Sequence, residues 1–361
     1  LSIPRVPTLK DVAKHAGVHV ATASRALNTQ QSHLVSEATR TRVQAAADAL
    51  GYRTNAVAQS LRTGTTGTIG VVVPDLANPF VVSIIRGVEH GTRRENILPL
   101  VVETHDEPEQ LRSAVSRLLG NRVDGIVLCA AHTTDEEFVA DLEGKIPVVL
   151  ALRGFDQRGR SAPGARRFEV LHDDIAGARA AVTHLIEQGH TRIAQLPGNQ
   201  VISSFIERGQ GFAAALAAHP EVEDLSSGTH ATEHTVAEGR RLAAEALAAP
   251  AGRRPTALFA HNDLMAVGAL DALRELGLRC PEDVSVVGYN DAPLSDHLDP
   301  PLTTVRLPSY ELGKHSARLL LSAIEGDASE SVRTMLAPEL VLRESTRPPA
   351  DGASADEAPT A

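Results

Sequence analysis

Along the first fifty or so residues, apolar positions recur in short bursts with a helical period. Leu9, Val12, Ala13 and Ala16 fall three and four residues apart, as expected for one face of a helix. Thr8 precedes them with Asp11 three residues on, a capping-box variant that marks a helix start. Gly17 interrupts the pattern. A second short helix is expected over Val20–Leu27, with Ala23, Ala26 and Leu27 inward and Thr22, Ser24 and Arg25 on its surface. Asn28–Leu34 reads as a polar loop. Ser36 then caps a third helix with Ala38, Val43, Ala46, Ala47 and Leu50 inward, and Gly51 ends it. Helix, glycine turn, helix, loop, helix is the layout of a helix-turn-helix unit, though a compact three-helix unit also suits a protein-binding module.

Residues 54–62 have enough periodicity for two helical turns, too short to be stable alone in water. Thr63–Gly67 reads as a linker. After Thr68 the texture changes. Continuous apolar runs at Ile69–Val73, Leu98–Val102, Gly125–Ala130, Pro147–Leu152, Arg192–Leu196, Thr256–Ala260 and Val284–Gly288 predict strands. Most are separated by amphipathic stretches: Phe80–Arg94, Pro108–Leu119, Ile175–Gln188, Phe205–Ala217, Val236–Ala248, Asp263–Leu276 and Tyr310–Ile324. Buried strands alternating with helices predict parallel sheets covered on both faces, and so many units predict two of them. Ligands of such folds bind beyond the carboxyl ends of the strands. That rule points to Pro74–Phe80, Pro197–Arg208, Ala260–Asp263 and Tyr289–Asp291. The Pro, Ala, Asp and Ser-rich segment 347–361 reads as a disordered tail.

Charge sharpens the picture. The net charge is −10, an unpromising value for a DNA-binding protein. Residues 1–63, however, carry eight basic side chains against three acidic ones, leaving −15 on the remainder. A small basic head on a large acidic body fits one part meeting phosphate and another avoiding it. The two cysteines, Cys129 and Cys280, lie far apart in apolar stretches and are expected to be free thiols. No apolar run is long enough to span a bilayer, and Leu1–Lys10 has no signal-like apolar segment. A cytoplasmic protein is therefore expected. There is no Gly-x-Ser-x-Gly elbow, phosphate loop or dinucleotide fingerprint after a strand, so no enzyme and no cofactor is expected. His230 and His234 have the spacing of two metal ligands on one helix face, but the glutamate is displaced from the zinc-protease pattern and no metal site is assigned.

Several segments together resemble the lactose-repressor/galactose-repressor family. They are Thr8-Leu-Lys-Asp-Val-Ala-Lys-His-Ala-Gly-Val18, Ala23-Ser-Arg-Ala-Leu-Asn28, Val35-Ser-Glu-Ala-Thr-Arg40, Ala49-Leu-Gly-Tyr52 and Asn55-Ala-Val-Ala-Gln-Ser-Leu61. Further along come Ile69-Gly-Val-Val-Val-Pro-Asp75, Asn78-Pro-Phe80, His184-Leu-Ile-Glu-Gln-Gly-His190, His261-Asn-Asp263, Pro281-Glu-Asp-Val-Ser-Val-Val-Gly-Tyr289 and Pro301-Leu-Thr-Thr-Val305. The resemblance implies an all-α helix-turn-helix headpiece plus hinge helix, joined to a two-lobed α/β core of parallel sheets like that of periplasmic sugar-binding proteins. The expected boundaries are a DNA-binding domain at 1–53, hinge and linker at 54–67, and the core at 68–346. Lobe 1 would take 68–168 and 301–330, and lobe 2 would take 169–300 and 331–346.

By the same resemblance, His19, Val20 and Ala21 face base edges while Thr22, Ser24, Arg25 and Asn28 hold phosphates or bases, with His33 as a loop contact. Val20 and Ala21 can offer only apolar contact, for example to a thymine methyl. Two hinge helices would pair in the minor groove, with Leu61 wedged into a base step. Val57 and Ala58 would pack across the dimer axis, and Asn55, Gln59 and Arg62 would contact backbone or groove. Arg208 stands at the family's effector-binding arginine position. Asn78, Phe80, Asp173, His234, Asn262, Asp263 and Asn290 complete the expected effector set. Asn290 and Leu152 stand where many relatives carry aspartate, which removes negative charge from the cleft edge.

The chain is thus expected to be a homodimeric regulator, a repressor, on a pseudo-palindromic operator. A small polar effector such as a sugar would control it allosterically, with corepression by a nucleoside or other metabolite as the alternative. A solute-binding protein without DNA function is the rival that residues 1–63 oppose.

Overall fold

The computed structural model describes residues 7–27, 32–52, 64–155, 166–328 and 330–350. The chain divides into two compact units at Thr66–Gly67. The first contains α1 (Leu9–His15), α2 (Val20–Leu27) and α3 (Glu37–Leu50). Thr8 and Asp11 form the capping box, and Ser36 caps α3 through the Thr39 amide. Gly17 and Gly51 both adopt left-handed backbone, each with φ of 62°, a conformation that glycine enters without steric penalty. The three helices share a small core of Val12, Ala13, Ala16, Ala23, Ala26, Val43, Ala46 and Ala47. Ala38, expected inside, is exposed on the first turn of α3, ahead of the stretch of that helix that packs. The expected hinge helix lies outside the described residues.

The second unit holds two six-stranded sheets. The first runs β11-β5-β4-β3-β1-β2 and is parallel throughout. Its strands are β1 (Thr68–Val73), β2 (Leu98–Glu103), β3 (Ile126–Leu128), β4 (Val148–Ala151), β5 (Phe168–His172) and β11 (Val332–Leu336). The second runs β12-β10-β9-β8-β6-β7, parallel except for the β10–β12 edge. It comprises β6 (Arg192–Leu196), β7 (Glu223–Asp224), β8 (Ala257–Ala260), β9 (Ser285–Asn290), β10 (Thr303–Arg306) and β12 (Glu339–Val341). Helices α4 (Pro79–Thr92), α5 (Pro108–Gly120), α6 (Glu136–Glu143) and α11 (Ser309–Glu325) accompany the first sheet. Helices α7 (Asp174–Glu187), α8 (Ser203–Ala217), α9 (Val236–Leu247) and α10 (Asp263–Glu275) accompany the second.

All seven expected strands and all seven expected helices of this unit are present. Strands β5, β7, β10, β11 and β12 and helix α6 were not expected. Their absence from the sequence reading displaced the lobe boundaries. Residues 168–172 pair with β4 and stay in lobe 1, and 303–306 pair with β9 and stay in lobe 2. The chain therefore crosses between lobes at 173, at 307–308 and at 337–338, each several residues beyond the expected 168/169, 300/301 and 330/331. The tail also begins later than 347. The Arg347 amide donates to Ser285 Oγ at 3.1 Å, and the Arg347 carbonyl accepts from His190 Nε2 at 2.9 Å. Just before it, fully buried Ser345 stitches β9 to β10, accepting from the Thr303 amide and donating to the Val286 carbonyl. Residues 351–361 lie outside the described set. Cys129 is buried, Cys280 is half-buried, and both are free.

Candidate functional sites

In the first unit, His19 sits at the start of α2, with Nδ1 accepting the Ala21 amide at 3.3 Å. His19, Ala21 and Arg25 are exposed, while Val20, Thr22 and Ser24 are half-buried. Ala23 and Ala26 point inward, so α2 turns one face to the core and offers another to a groove. His33 is exposed on a short 3-10 turn, Ser32–Leu34. Asn28, Asn55, Ala58, Gln59, Leu61 and Arg62 lie outside the described residues.

In the second unit, the carboxyl ends of the strands converge on a cleft between the lobes. Its wall includes Pro74, Asp75, Asn78, Phe80, Asp106, Leu152 and Arg153 from lobe 1, and Ile202, Ser204, Phe205, Arg208, His234, Asn262 and Asn290 from lobe 2. The cavity between them is ≈ 40 Å³, well below the ~300 Å³ at the lower end of small-molecule pockets. Any ligand of sugar size needs the lobes to part.

Arg208 is buried on α8. Its Nε donates to Asp174 Oδ1 at 2.8 Å and its Nη1 donates to the His261 carbonyl. The guanidinium carbon lies 4.0 Å from the Tyr289 ring centroid and 5.2 Å from that of Phe205. Burial raises the Asp174 carboxyl above its ordinary pKa, and the Arg208 charge pulls against that. His261 is fully buried, with Nδ1 accepting from the Gly198 amide at 3.2 Å and Nε2 facing Gln195 Oε1 at 3.0 Å. Burial, aided by the Arg208 charge, holds His261 neutral, far below its usual pKa.

Asn78 caps α4 through the Phe80 amide. Asn262 caps α10 through the Met265 amide at 2.7 Å, while its Nδ2 donates to the His234 carbonyl at 3.2 Å. Capping and cleft exposure thus coexist at both asparagines. Asn290 has a φ of 114°, and its Oδ1 is buried without a partner, as is His234 Nδ1.

Two expected residues are not on the cleft wall. Asp173 caps α7 through the Ala176 amide at 2.9 Å. Asp263 is buried and accepts from the Ala292 amide, Ser295 Oγ and Thr304 Oγ1. Burial pushes its pKa up to about 6 against those hydrogen bonds. It pins the loop after β9 rather than facing the cleft.

Sequence reasoning missed Asp106, Arg153 and Phe205. Arg153 donates to Asp106 Oδ1 at 2.5 Å and to Oδ2 at 3.1 Å. Burial works against the Asp106 charge, but the Arg153 charge, the nearby His132 and hydrogen bonds from His234 and Arg153 hold its carboxyl well below the usual range. Asp106 thus brings a carboxylate from the loop after β2 to the cleft wall beside Leu152 and Arg153. The signal was available, since that loop and the one after β4 also follow apolar runs at strand carboxyl ends. Buried His172 was missed too. Neither ring nitrogen has a partner, and burial together with the Arg208 charge pushes its pKa to about 3.

Among the described residues no three potential ligands cluster to hold a metal, and no helix is long and apolar enough to cross a membrane.

Residues 8–55 match the profile of the lacI family of bacterial regulatory proteins, and residues 182–346 match a periplasmic binding protein-like domain. The HTH-type transcriptional repressor CytR of Escherichia coli K12 is 33% identical over 343 residues, 94% of this chain and 96% of that protein. The structure of the transcriptional regulator CelR with cellobiose is 33% identical, with a TM-score of 0.68, covering 94% of this chain and 99% of that one. The lac repressor dimer bound to operator and the anti-inducer ONPF is 30% identical, with a TM-score of 0.81, covering 95% and 100%. Proteins of this kind are DNA-binding regulators under effector control and not enzymes. With family-level identity across nearly the whole chain, a matching headpiece and a matching two-lobed core, this chain belongs to the lacI family of bacterial transcriptional regulators.

Proposed function

We propose that the chain acts as a homodimeric repressor on a pseudo-palindromic operator and is released by an uncharged effector of sugar type. The observation that carries the effector class is the charge pairing of the cleft. Both guanidiniums are already matched, Arg208 by Asp174 and Arg153 by Asp106. The buried side-chain atoms of the wall left without a partner are neutral, Asn290 Oδ1 and His234 Nδ1, and half-buried Asp75 adds a carboxylate whose Oδ1 accepts from the Ala77 amide. A charged ligand would have to displace a buried ion pair, whereas a hydroxyl needs only to meet an unpartnered acceptor. Asn78, Asn262 and the edge of Arg208 complete the polar wall. A nucleoside is the second reading, because the rings of Phe80 and Phe205 on the wall could flank a base. The cellobiose bound to the similar regulator CelR favours the first.

On the DNA side, His19, Val20 and Ala21 read the groove, Thr22, Ser24, Arg25, Asn28 and His33 hold backbone, and Asn55, Ala58, Gln59, Leu61 and Arg62 engage the minor groove. Exposed Leu76, Val82, Leu98 and Val101 of lobe 1 supply apolar surface for a second copy.

Thermal shift with ribose, cellobiose, the common ribonucleosides and a set of sugar phosphates tests the effector class. An uncharged sugar should stabilise wild type and lose most of that effect in Asn290→Ala. Stabilisation confined to the phosphates refutes the reading. Operator retention in a gel-shift assay tests the rest: Leu61→Ala should weaken it while leaving the sugar response intact.

A further inference from the structure

Asp106 has a local geometry that the cleft wall alone does not require. It and its neighbour His105 both sit in left-handed backbone, with φ of 56° and 52°. For residues other than glycine this conformation is uncommon and persists where the surroundings enforce it. Lobe 1 grips the carboxylate from two sides. Arg153, with a side chain 4% exposed, binds it bidentately, and His132 Nε2 stands 3.5 Å from Oδ1. The remaining partner comes from across the cleft. His234 Nε2 of lobe 2 lies 2.8 Å from Asp106 Oδ2.

An ionised carboxylate can only accept, so this contact places a proton on His234 Nε2. The His234 ring packs on Phe205 at 4.8 Å between centroids, which holds it in line. Two further hydrogen bonds cross the cleft, from the Thr133 amide to the Val201 carbonyl at 2.8 Å and from the Gly154 amide to Ser203 Oγ at 3.1 Å. Both use backbone donors. Among the described residues, the Asp106–His234 contact is the charge-assisted link between side chains of opposite lobes, the strongest class of hydrogen bond available here.

We propose that Asp106 and His234 form a latch that holds the cleft closed, with Asp106 as a positioning residue that acts through His234. The inference deepens the proposed function by naming what an entering effector must release, but the latch itself rests on the cleft geometry.

Hydrogen–deuterium exchange of the full-length protein without ligand tests it. The Thr133 and Gly154 amides report closure directly. His234→Ala should speed their exchange about tenfold or more, while amides of β1 stay as in wild type. His234→Gln, whose amide can still donate to Asp106, should retain the protection. His234→Ala leaves the Arg153 and His132 contacts of Asp106 in place, so the result does not depend on whether Asp106→Asn folds. Unchanged protection at Thr133 and Gly154 in His234→Ala overturns the latch. So does equal loss in His234→Gln, which would assign closure to ring packing on Phe205. If no sugar or nucleoside binds, the effector reading fails while the exchange result stands.

Discussion

Arg208 lines the cleft, and its surroundings make it a structural residue as well. Consider Arg208→Ala. The substitution leaves the Asp174 carboxylate, only 1% exposed, without its ion-pair partner, and leaves the His261 carbonyl without a donor. Removing one partner of a buried pair destabilises by about 3–5 kcal/mol. The guanidinium stacked on Tyr289 adds about 0.5–2 kcal/mol more. At roughly 2 °C per kcal/mol for a core of this size, thermal unfolding should fall by about 7–14 °C. Circular dichroism at 222 nm is the right assay, because the chain has no Trp. Asp174→Asn combined with Arg208→Gln should recover a large part of the loss, since no charge is then left buried alone. An Arg208→Ala midpoint within about 1 °C of wild type would refute the reasoning, as would a double variant whose loss equals the sum of the single losses. The practical corollary is that a lost ligand response in Arg208→Ala does not by itself identify a ligand contact. Asn290→Ala, which removes an unpartnered oxygen, is the cleaner probe.

Two buried histidines should make the core less stable in acid, while Asp263 and Glu207, whose pKa values burial raises to about 6 and about 7, pull the other way over the same range. Burial pushes His172 to about 3 and His190 to about 4, against about 6.5 in the unfolded chain. These depressed values mean that stability is full above about pH 6.5 and is lost as pH falls toward 4, by up to ~1.4 kcal/mol per pH unit for each histidine. Urea titrations from pH 7.5 to 4.5 should show this contribution as a slope reduced in His172→Gln; equal slopes would contradict it. Gly268→Ala should lower the melting midpoint by several degrees, since its Cβ would collide with the Val236 carbonyl oxygen where α9 crosses α10, an overpacking cost of about 1–3 kcal/mol. Arg25→Ala should weaken operator binding and reduce the slope of log affinity against log salt by about one. A phosphate contact is refuted if fluorescence anisotropy at several salt concentrations gives an unchanged slope.

Much of this architecture was legible from residue order, and two of the exceptions, β5 and β10, have a common cause. Ile69–Val73 and Thr256–Ala260 announce themselves as strands because both faces are apolar. Phe168–His172 is buried along its whole length, yet it carries Glu169 and His172, and Thr303 and Thr304 are buried hydroxyls at the start of β10. Hydrophobic periodicity does not register a strand whose buried positions include polar residues. The cleft shows the same divide. Asn78, Phe80, Arg208, His234, Asn262 and Asn290 were found one segment at a time. Asp106 draws its role from Arg153, forty-seven positions away, and from His234 on the other lobe. Asp173 and Asp263 serve as a cap and a loop anchor, roles that have the same local sequence as ligand-binding aspartates.

The three crossings at 173, 307–308 and 337–338 carry a mechanical consequence. A body tied to its neighbour by one strand of chain can swing and spin freely, but three side-by-side ties act as a flexure. Such a joint bends readily in one direction and resists twist and shear. Each lobe is also stiff, because helices such as α4 and α11 meet at Gly87 and Gly313 with no room for a Cβ. Whatever chemistry enters the cleft is therefore converted into a single coordinate, the opening angle between two rigid blocks. A regulator built this way grades its ligands by one number, and ligands of quite different shape become equivalent whenever they set the same angle.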